Sequence, residues 1–139
     1  MHRIMLFCSL ALLLAISAVW TPLAQQPGDE ARFTGKTVVM ETPGVGVTRR
    51  RFEAGARTAW HSHPRGQLLF VEEGKARIQK RGQPLKDLGP GESDFTGPNI
   101  VHWHGAAPAG PLVHVAVGFG GETKWLEKVT DEEYLGKAK

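Results

Sequence analysis

Two His-x-His pairs are the part of this sequence whose residue types and spacing could do chemistry. The first pair is His61 and His63, and the second is His102 and His104. Residues i and i+2 of a strand point to the same face, so each pair can project two imidazoles into one cavity. Imidazole nitrogens are common ligands of divalent metals. The spacing therefore predicts a metal site, against the alternative of a purely structural histidine cluster.

Gln67 is the candidate for a further donor atom. A turn follows the first histidine pair, and Gln67 opens the next apolar run, from which its amide can return to the same cavity. We expect the ligands to be His61, His63, Gln67 and His102. These four neutral side chains leave the charge of a divalent cation uncompensated, which favours Lewis-acid chemistry and anionic ligands. Manganese, iron, zinc and nickel all accept this donor set.

Two further histidines are candidates for acid–base work or for binding a substrate. His104 lies one pleat beyond His102, and His114 lies on the strand after the next turn. A neutral imidazole can accept a proton near pH 7. For His114 the alternative is a core histidine that is hydrogen-bonded to a neighbour.

Short strands must position these side chains, because no sustained helical period occurs before the C-terminus. Apolar or alternating runs recur between turn signals rich in glycine and proline, which predicts an all-β fold, a small antiparallel β-barrel or jelly roll. The runs cover residues 37–40, 45–52, 58–63, 67–72, 76–80, 85–88, 93–95, 101–104 and 112–119. Thr130 and Glu133 form a capping-box pattern, which predicts a short C-terminal helix through Tyr134 and Leu135.

The run at residues 68–71, Leu-Leu-Phe-Val, has no polar alternate on either face. Such a strand is typical of one that is buried on both sides. We therefore expect a homodimer or a higher homo-oligomer. The alternative is that the N- or C-terminal segment of the same chain covers one face.

The charge pattern argues against nucleic acid as a partner. The formal net charge is only +3, and the basic residues are scattered among acids. The exception is the run Arg49, Arg50 and Arg51, whose members point to opposite faces of a strand. We interpret this run as a solvated edge, with an anion site as the alternative.

The N-terminal segment is typical of a secretory signal peptide. A basic start precedes an apolar stretch, and the sequence turns polar after Ala24. We predict a signal peptide at residues 1–24, a linker at residues 25–35 and one domain at residues 36–139. An uncleaved anchor is the alternative. The only cysteine is Cys8, so a mature chain without cysteine, secreted or periplasmic and free of the membrane, is expected.

These residues resemble the two motifs of the cupin family. The first motif keeps its spacing at Gly55, His61, His63, Gln67 and Gly74. Gln67 stands where most cupins have Glu. The second motif starts at Gly91 and reaches His102 at the expected distance, but it departs from the common pattern at residues 97–99 and at Ala106. The departure concerns the shape of a loop, since the histidine is intact.

A closer resemblance covers residues 52–134 and is to the small bacterial manganese-dependent cupin hydroxynitrile lyases, which are related in name to carboxymuconolactone decarboxylases. The resemblance implies manganese, a small-molecule substrate and a fixed ligand set. The implied ligands are His61, His63, Gln67 and His102. It also implies that His104 and His114 are active-site residues.

Three hypotheses of function follow. The first is a metal-dependent lyase that acts on a small hydroxylated substrate such as a cyanohydrin. The second is a dioxygenase-type cupin with a redox metal, against which Gln67 counts because its most familiar members keep a carboxylate ligand. The third is a non-enzymatic periplasmic module that binds a metal or a small ligand, in which His104 and His114 would be hydrogen-bonded and turned away from the metal.

Overall fold

The structure is a computed structural model that describes Thr34 and residues 42–137. The predicted signal peptide, the linker apart from Thr34, the predicted strand at residues 37–40 and the predicted start of the domain at residue 36 lie outside the described residues. Within the described part, no helix is long and apolar enough to cross a membrane.

Nine strands and one short helix make up the described part of the chain. They are β1 (Gly46–Phe52), β2 (Ala59–Ser62), β3 (Gln67–Gly74), β4 (Ala76–Lys80), β5 (Lys86–Leu88), β6 (Ser93–Thr96), β7 (His102–Ala106), β8 (Leu112–Gly118), β9 (Lys124–Lys128) and α1 (Asp131–Tyr134). Eight of the strands correspond to runs that the turn signals predict.

The strands form two antiparallel sheets. One sheet has the order β1-β8-β3-β6, and the other has the order β5-β4-β7-β2-β9. The described strands form two separate sheets that do not close into one continuous barrel. The all-β jelly-roll prediction, with its short C-terminal helix, is confirmed.

The apolar core joins the two sheets at one end of the molecule. Leu69 and Val71 of β3 pack there with Ile78 of β4 and with Ala106 of β7. Along β3 the buried positions alternate with exposed or partly buried ones, as expected for a strand with one buried face. Strand β7 differs, because all five of its residues are buried. The histidines lie at the other end of the same interior.

A second cluster lies beneath the C-terminal helix and holds Trp60, Trp103, Val129 and Tyr134. The helix begins where the sequence predicts. Thr130 is its N-cap, the Glu133 backbone N–H donates to Thr130 Oγ1 at 3.2 Å, and the Glu133 carboxylate accepts from the Thr130 backbone N–H at 2.8 Å. This capping box satisfies two backbone donors that a helix start leaves without intrahelical partners.

Strand β9 is the element that the sequence pattern did not predict. Four of its five residues are exposed, and only Leu126 is partly buried. It pairs with β2 at the edge of its sheet. A strand with almost no buried face carries no apolar alternation, so the main signal for a strand is absent from its sequence.

Within one chain, β3 has one buried face and one exposed face. Leu69 is 4% exposed, whereas Phe70 is 42% exposed. The described C-terminal residues pack on the other sheet, against Trp60 and Trp103, and so do not cover Phe70. The homo-oligomer stays a prediction.

Candidate metal centre

The two sheets bring the predicted ligands together at one end of the interior. His61 of β2 is paired directly with His102 of β7, and their ring centroids are 4.3 Å apart. His63 follows β2, and its ring centroid lies 5.1 Å from that of His61 and 5.5 Å from that of His102. Gln67 is the first residue of β3 in the opposite sheet.

A tight turn at Gly66 returns the chain from His63 to Gln67. Gly66 has a φ of 84°, a region that glycine occupies readily and residues with a Cβ rarely do. A Cβ at this position would lie 2.6 Å from the carbonyl oxygen of Thr96. The turn therefore requires glycine, and it delivers the Gln67 side chain to the histidines.

Backbone carbonyls orient two of the rings. Nδ1 of His61 donates to the Ala59 carbonyl at 2.9 Å, and Nδ1 of His102 donates to the Ile100 carbonyl at 3.0 Å. A carbonyl can only accept, so each Nδ1 carries the proton and each Nε2 keeps its lone pair. This is the usual arrangement around histidine ligands of a metal.

The loop before β7 keeps this geometry although it departs from the cupin pattern. Asn99 has a φ of 59°, and its backbone N–H donates to the His63 carbonyl at 2.8 Å. The Ile100 N–H donates to the Gly97 carbonyl at 3.3 Å. The turn thereby places the Ile100 carbonyl where Nδ1 of His102 can reach it.

Buried polar atoms within the group fit a cation. Nε2 of His63 is buried and has no hydrogen-bond partner in the part of the chain that the structure describes. With the amide in the orientation that the structure gives it, Oε1 of Gln67 lies 3.1 Å from Nε2 of His102. Two acceptors at that distance repel each other unless they share a cation or a proton. The donor set therefore fits a divalent metal.

His104 of β7 adds a fourth imidazole to the group. Ring nitrogens of His61, His102 and His104 all lie within 4.8 Å of one another. The ring centroid of His104 is 5.3 Å from that of His61 and 6.1 Å from that of His102. The structure thus brings together all four predicted ligands and His104, and the tightest group of three nitrogens includes His104 in place of His63.

His114 of β8 reaches the same space from the opposite sheet. Its ring centroid is 5.1 Å from that of His104, with the ring planes nearly perpendicular. Phe52 of β1 stacks on the His114 ring, with the two ring centroids 5.2 Å apart. Both His104 and His114 line the cavity, and Nδ1 of His104 is buried without a partner within residues 42–137. Neither observation fits histidines that are turned away from the site.

Burial keeps this group of histidines neutral. It is the largest cause lowering the pKa of His61, His63, His104 and His114, and it lowers the pKa of His102 to about 4. For His104 the pKa lies well below the ordinary value, with His114 as the second cause. Neutral imidazoles at pH 7 can ligate a metal or accept a proton.

A cavity of about 600 Å³ opens beside the histidines. Phe52 and Trp125 supply apolar wall, and the Trp125 ring lies 4.8 Å from the His61 ring. Sequence reasoning did not identify Trp125 as a site residue, because it lies on the unpredicted strand β9.

Arg50 is the other lining residue that sequence reasoning placed elsewhere. Of the three consecutive arginines, Arg49 and Arg51 are exposed and paired with Glu72 and Glu53, as a solvated edge requires. Arg50 instead lines the cavity. Strand alternation was the available signal, but only the sheet shows which face of β1 is the inner one.

Comparison with known proteins gives concordant results. A family model described as "Cupin domain" matches residues 48–118. An (R)-mandelonitrile lyase from Granulicella tundricola is 44% identical over 94 residues, which cover 66% of this chain and 70% of that protein. A crystal structure of a cupin-like protein from Thermotoga maritima superposes with a TM-score of 0.65 at 46% identity, covering 68% of this chain and 73% of that one. A conserved protein with a double-stranded β-helix domain from Klebsiella pneumoniae has a TM-score of 0.55 at 27% identity, covering 65% and 81%.

Proposed function

This chain belongs to the cupin domain family, and we propose that within it the protein is a metal-dependent lyase that acts on a small hydroxylated substrate such as a cyanohydrin. The resemblance to cupin hydroxynitrile lyases agrees with the mandelonitrile lyase relative at 44% identity. The observation that carries the proposal is the buried Nδ1 of His104 beside the other imidazoles, which has no hydrogen-bond partner among the described residues.

The proposed ligands are His61, His63, Gln67 and His102. Support comes from the carbonyl-oriented rings of His61 and His102, the unpaired Nε2 of His63 and the acceptor of Gln67 that faces His102. Manganese is the metal that the resemblance favours, with iron, zinc and nickel as alternatives. A bound divalent cation would supply Lewis-acid chemistry at a substrate hydroxyl or nitrile.

His104 acts as the general base in this proposal. Its neutral ring takes the proton of the substrate hydroxyl, the bond from carbon to the nitrile breaks, and the products are a carbonyl compound and cyanide. The proton can then pass to cyanide and leave as hydrogen cyanide. His114, whose ring centroid is 5.1 Å from that of His104, holds the His104 ring in place and faces the cavity.

The cavity walls agree with a substrate that carries an aromatic or apolar group. Phe52 is stacked on His114, and Trp125 lies against His61. These two rings leave an apolar surface beside the base, where such a group can bury area on binding.

A cyanide-release assay on mandelonitrile with manganese-loaded protein tests the reaction. We expect activity in the wild type and a loss of about 10²–10⁴-fold in His104→Ala, the usual contribution of a general base. Arg51→Gln, which changes an exposed arginine of the outer face, is the matched control and should retain activity. No cyanide release by the loaded wild type, from mandelonitrile or from its 4-carboxy derivative, would exclude this reaction. Full activity in His104→Ala would exclude the role of that residue.

The N-terminal residues support a proposal about location. We also propose that residues 1–24 are a cleaved signal peptide and that the mature protein is secreted or periplasmic. The support is the basic start, the apolar centre and the polar residues that follow Ala24. The intact mass of protein recovered from a periplasmic extract tests this proposal. The expected mass is that of a chain that begins near residue 25.

A further inference from the structure

The inner face of β1 presents an arginine to the cavity. Thr48, Arg50 and Phe52 alternate along the strand, and all three line the cavity. In the antiparallel register, Arg50 is directly opposite His114 of β8. Arg50 therefore lies on the same inner face as His114, which neighbours the proposed base His104. Arg50 is also exposed, so it can meet a ligand that enters from solvent.

The other arginines near this face form ion pairs with acidic side chains. Arg49 and Arg51 pair with glutamates on the outer face. Arg57, which also lines the cavity, has one Nη 2.6 Å from Asp131 Oδ1 and donates to the Val129 carbonyl at 3.0 Å. Among residues 42–137, Arg50 has no acidic partner.

The described residues that line the cavity supply no compensating charge. None of its lining residues among the described part of the chain is Asp or Glu. Gln67, which stands where a carboxylate would remove one unit of charge from a metal, is neutral. An uncompensated positive cavity attracts anions, and a guanidinium offers a carboxylate two parallel hydrogen bonds.

We infer that Arg50 is a specificity residue that binds a carboxylate of the substrate, so that the substrates of this site are hydroxylated carboxylic acids. The inference rests on the proposed function and names its substrate class. The hydroxyl would lie at His104 and the carboxylate at Arg50. His114 is opposite Arg50 in the register, and its ring centroid lies 5.1 Å from that of His104. We therefore expect a substrate whose hydroxyl and carboxylate are separated by at least the width of an aromatic ring.

Binding of a matched pair of probes tests the inference. The probes are 4-(hydroxymethyl)benzoate and its neutral counterpart 4-(hydroxymethyl)benzamide, titrated calorimetrically into manganese-loaded protein. The wild type is expected to bind the carboxylate about tenfold more tightly, or better, as a charge-assisted pair would give. Arg50→Gln should lose that preference, and Arg50→Lys should keep part of it.

Arg49→Gln is the matched control, because it removes the neighbouring charge on the opposite face and should retain the preference. Equal binding of the two probes by the wild type would overturn the inference. A preference that survives in Arg50→Gln would also overturn it, since the anion would then be bound by the metal.

The same samples separate this inference from the proposed lyase reaction. Cyanide release from mandelonitrile without a carboxylate preference keeps the lyase and overturns the role of Arg50. A carboxylate preference that depends on Arg50, in protein that releases no cyanide from mandelonitrile or from its 4-carboxy derivative, overturns the lyase and supports Arg50 as an anion-binding residue.

Discussion

At the level of single residues, each of the three histidines proposed as ligands has its Nδ1 beside a neighbour that is not itself a candidate ligand. The backbone carbonyls of Ala59 and Ile100 accept hydrogen bonds from Nδ1 of His61 and of His102, respectively. Nδ1 of His63 lies 3.1 Å from Thr123 Oγ1. For His61 and His102 these contacts leave the lone pair on Nε2. They also separate the proposed ligands from His104, whose Nδ1 has no such neighbour among the described residues.

The ligand set can be tested by metal content. We expect His63→Ala and His102→Ala to lose tightly bound manganese, whereas His104→Ala should retain it, because His104 is proposed as a base. The metal content of each purified variant, measured by inductively coupled plasma mass spectrometry, checks this expectation. Arg51→Gln, purified in the same way, is the control for metal that is lost during purification.

The opposite result would point to the tighter group of three nitrogens. If His104→Ala lost the metal while His63→Ala kept it, the ligands would be His61, His102 and His104, and the lyase would lack its proposed base.

The same buried histidines make the stability of the metal-free protein depend on pH. Their pKa values in the folded state lie below the ordinary 6.5, and that of His102 is lowered to about 4. As the pH falls below 6.5, the unfolded state therefore takes up protons first. The free energy of unfolding should be at its full value above that pH and should fall as the pH approaches 4.

Thermal unfolding between about pH 7 and pH 4 measures this effect. The protein must be free of metal, because a bound ion competes with protons for the same nitrogens. His114→Gln, which removes one buried histidine, should show a shallower loss. A melting temperature that stays constant from pH 6.5 to about pH 5 would contradict burial of neutral rings.

At the level of elements, β3 connects the site to the core. Gln67 lies at its beginning, and Leu69 and Val71 follow on the same face. The donor and the core are therefore parts of one alternating face, so packing at Leu69 helps to position the amide. The outer face of the same strand carries Leu68 and Phe70.

Substitutions on the two faces should differ in cost. Leu69→Ala removes a side chain that is 4% exposed and should lower the free energy of unfolding by about 2–5 kcal/mol. Phe70→Ala removes one that is 42% exposed and should cost under about 1.5 kcal/mol in the monomer. Urea unfolding at low protein concentration measures both. Equal costs would mean that the outer face is buried even in the monomer.

At the level of the whole molecule, the outer face of the four-stranded sheet carries an apolar row. The row runs across the sheet through Val47, Val117, Leu68 and Phe95, which are neighbours in the register. Phe95 is 52% exposed and Val47 is 64% exposed. An exposed apolar patch across a sheet is typical of a protein–protein interface, and we propose that a second copy of the chain covers it.

The proposed dimer can be tested by light scattering after size exclusion. The wild type should elute as a dimer, and Phe95→Lys should elute as a monomer, because a buried lysine would lose its hydration. Leu135→Lys is the matched control, since Leu135 is a similarly exposed apolar residue, 44%, that follows the C-terminal helix. A monomeric wild type would refute the dimer.

Local patterns predicted much of this protein. Turn signals separated eight of the nine strands, and the pair Thr130 and Glu133 predicted the helix start, because such signals act over a few residues. The cupin resemblance rests on the spacing of residues such as His61 and His102, and it was confirmed by the family match to residues 48–118. The ligand set remains a prediction that the geometry supports.

What the sequence by itself determined is the kind of fold and the residue types that could bind a metal, since periodicity and spacing are properties of neighbouring residues. Only the tertiary structure decided that Arg50 faces the cavity, that β9 brings Trp125 to His61, and that His104 and His114 meet from opposite sheets. The physical reason is that these contacts depend on strand register and on the packing of one sheet against the other. Both are set by residues far apart in the chain, which no local pattern can specify.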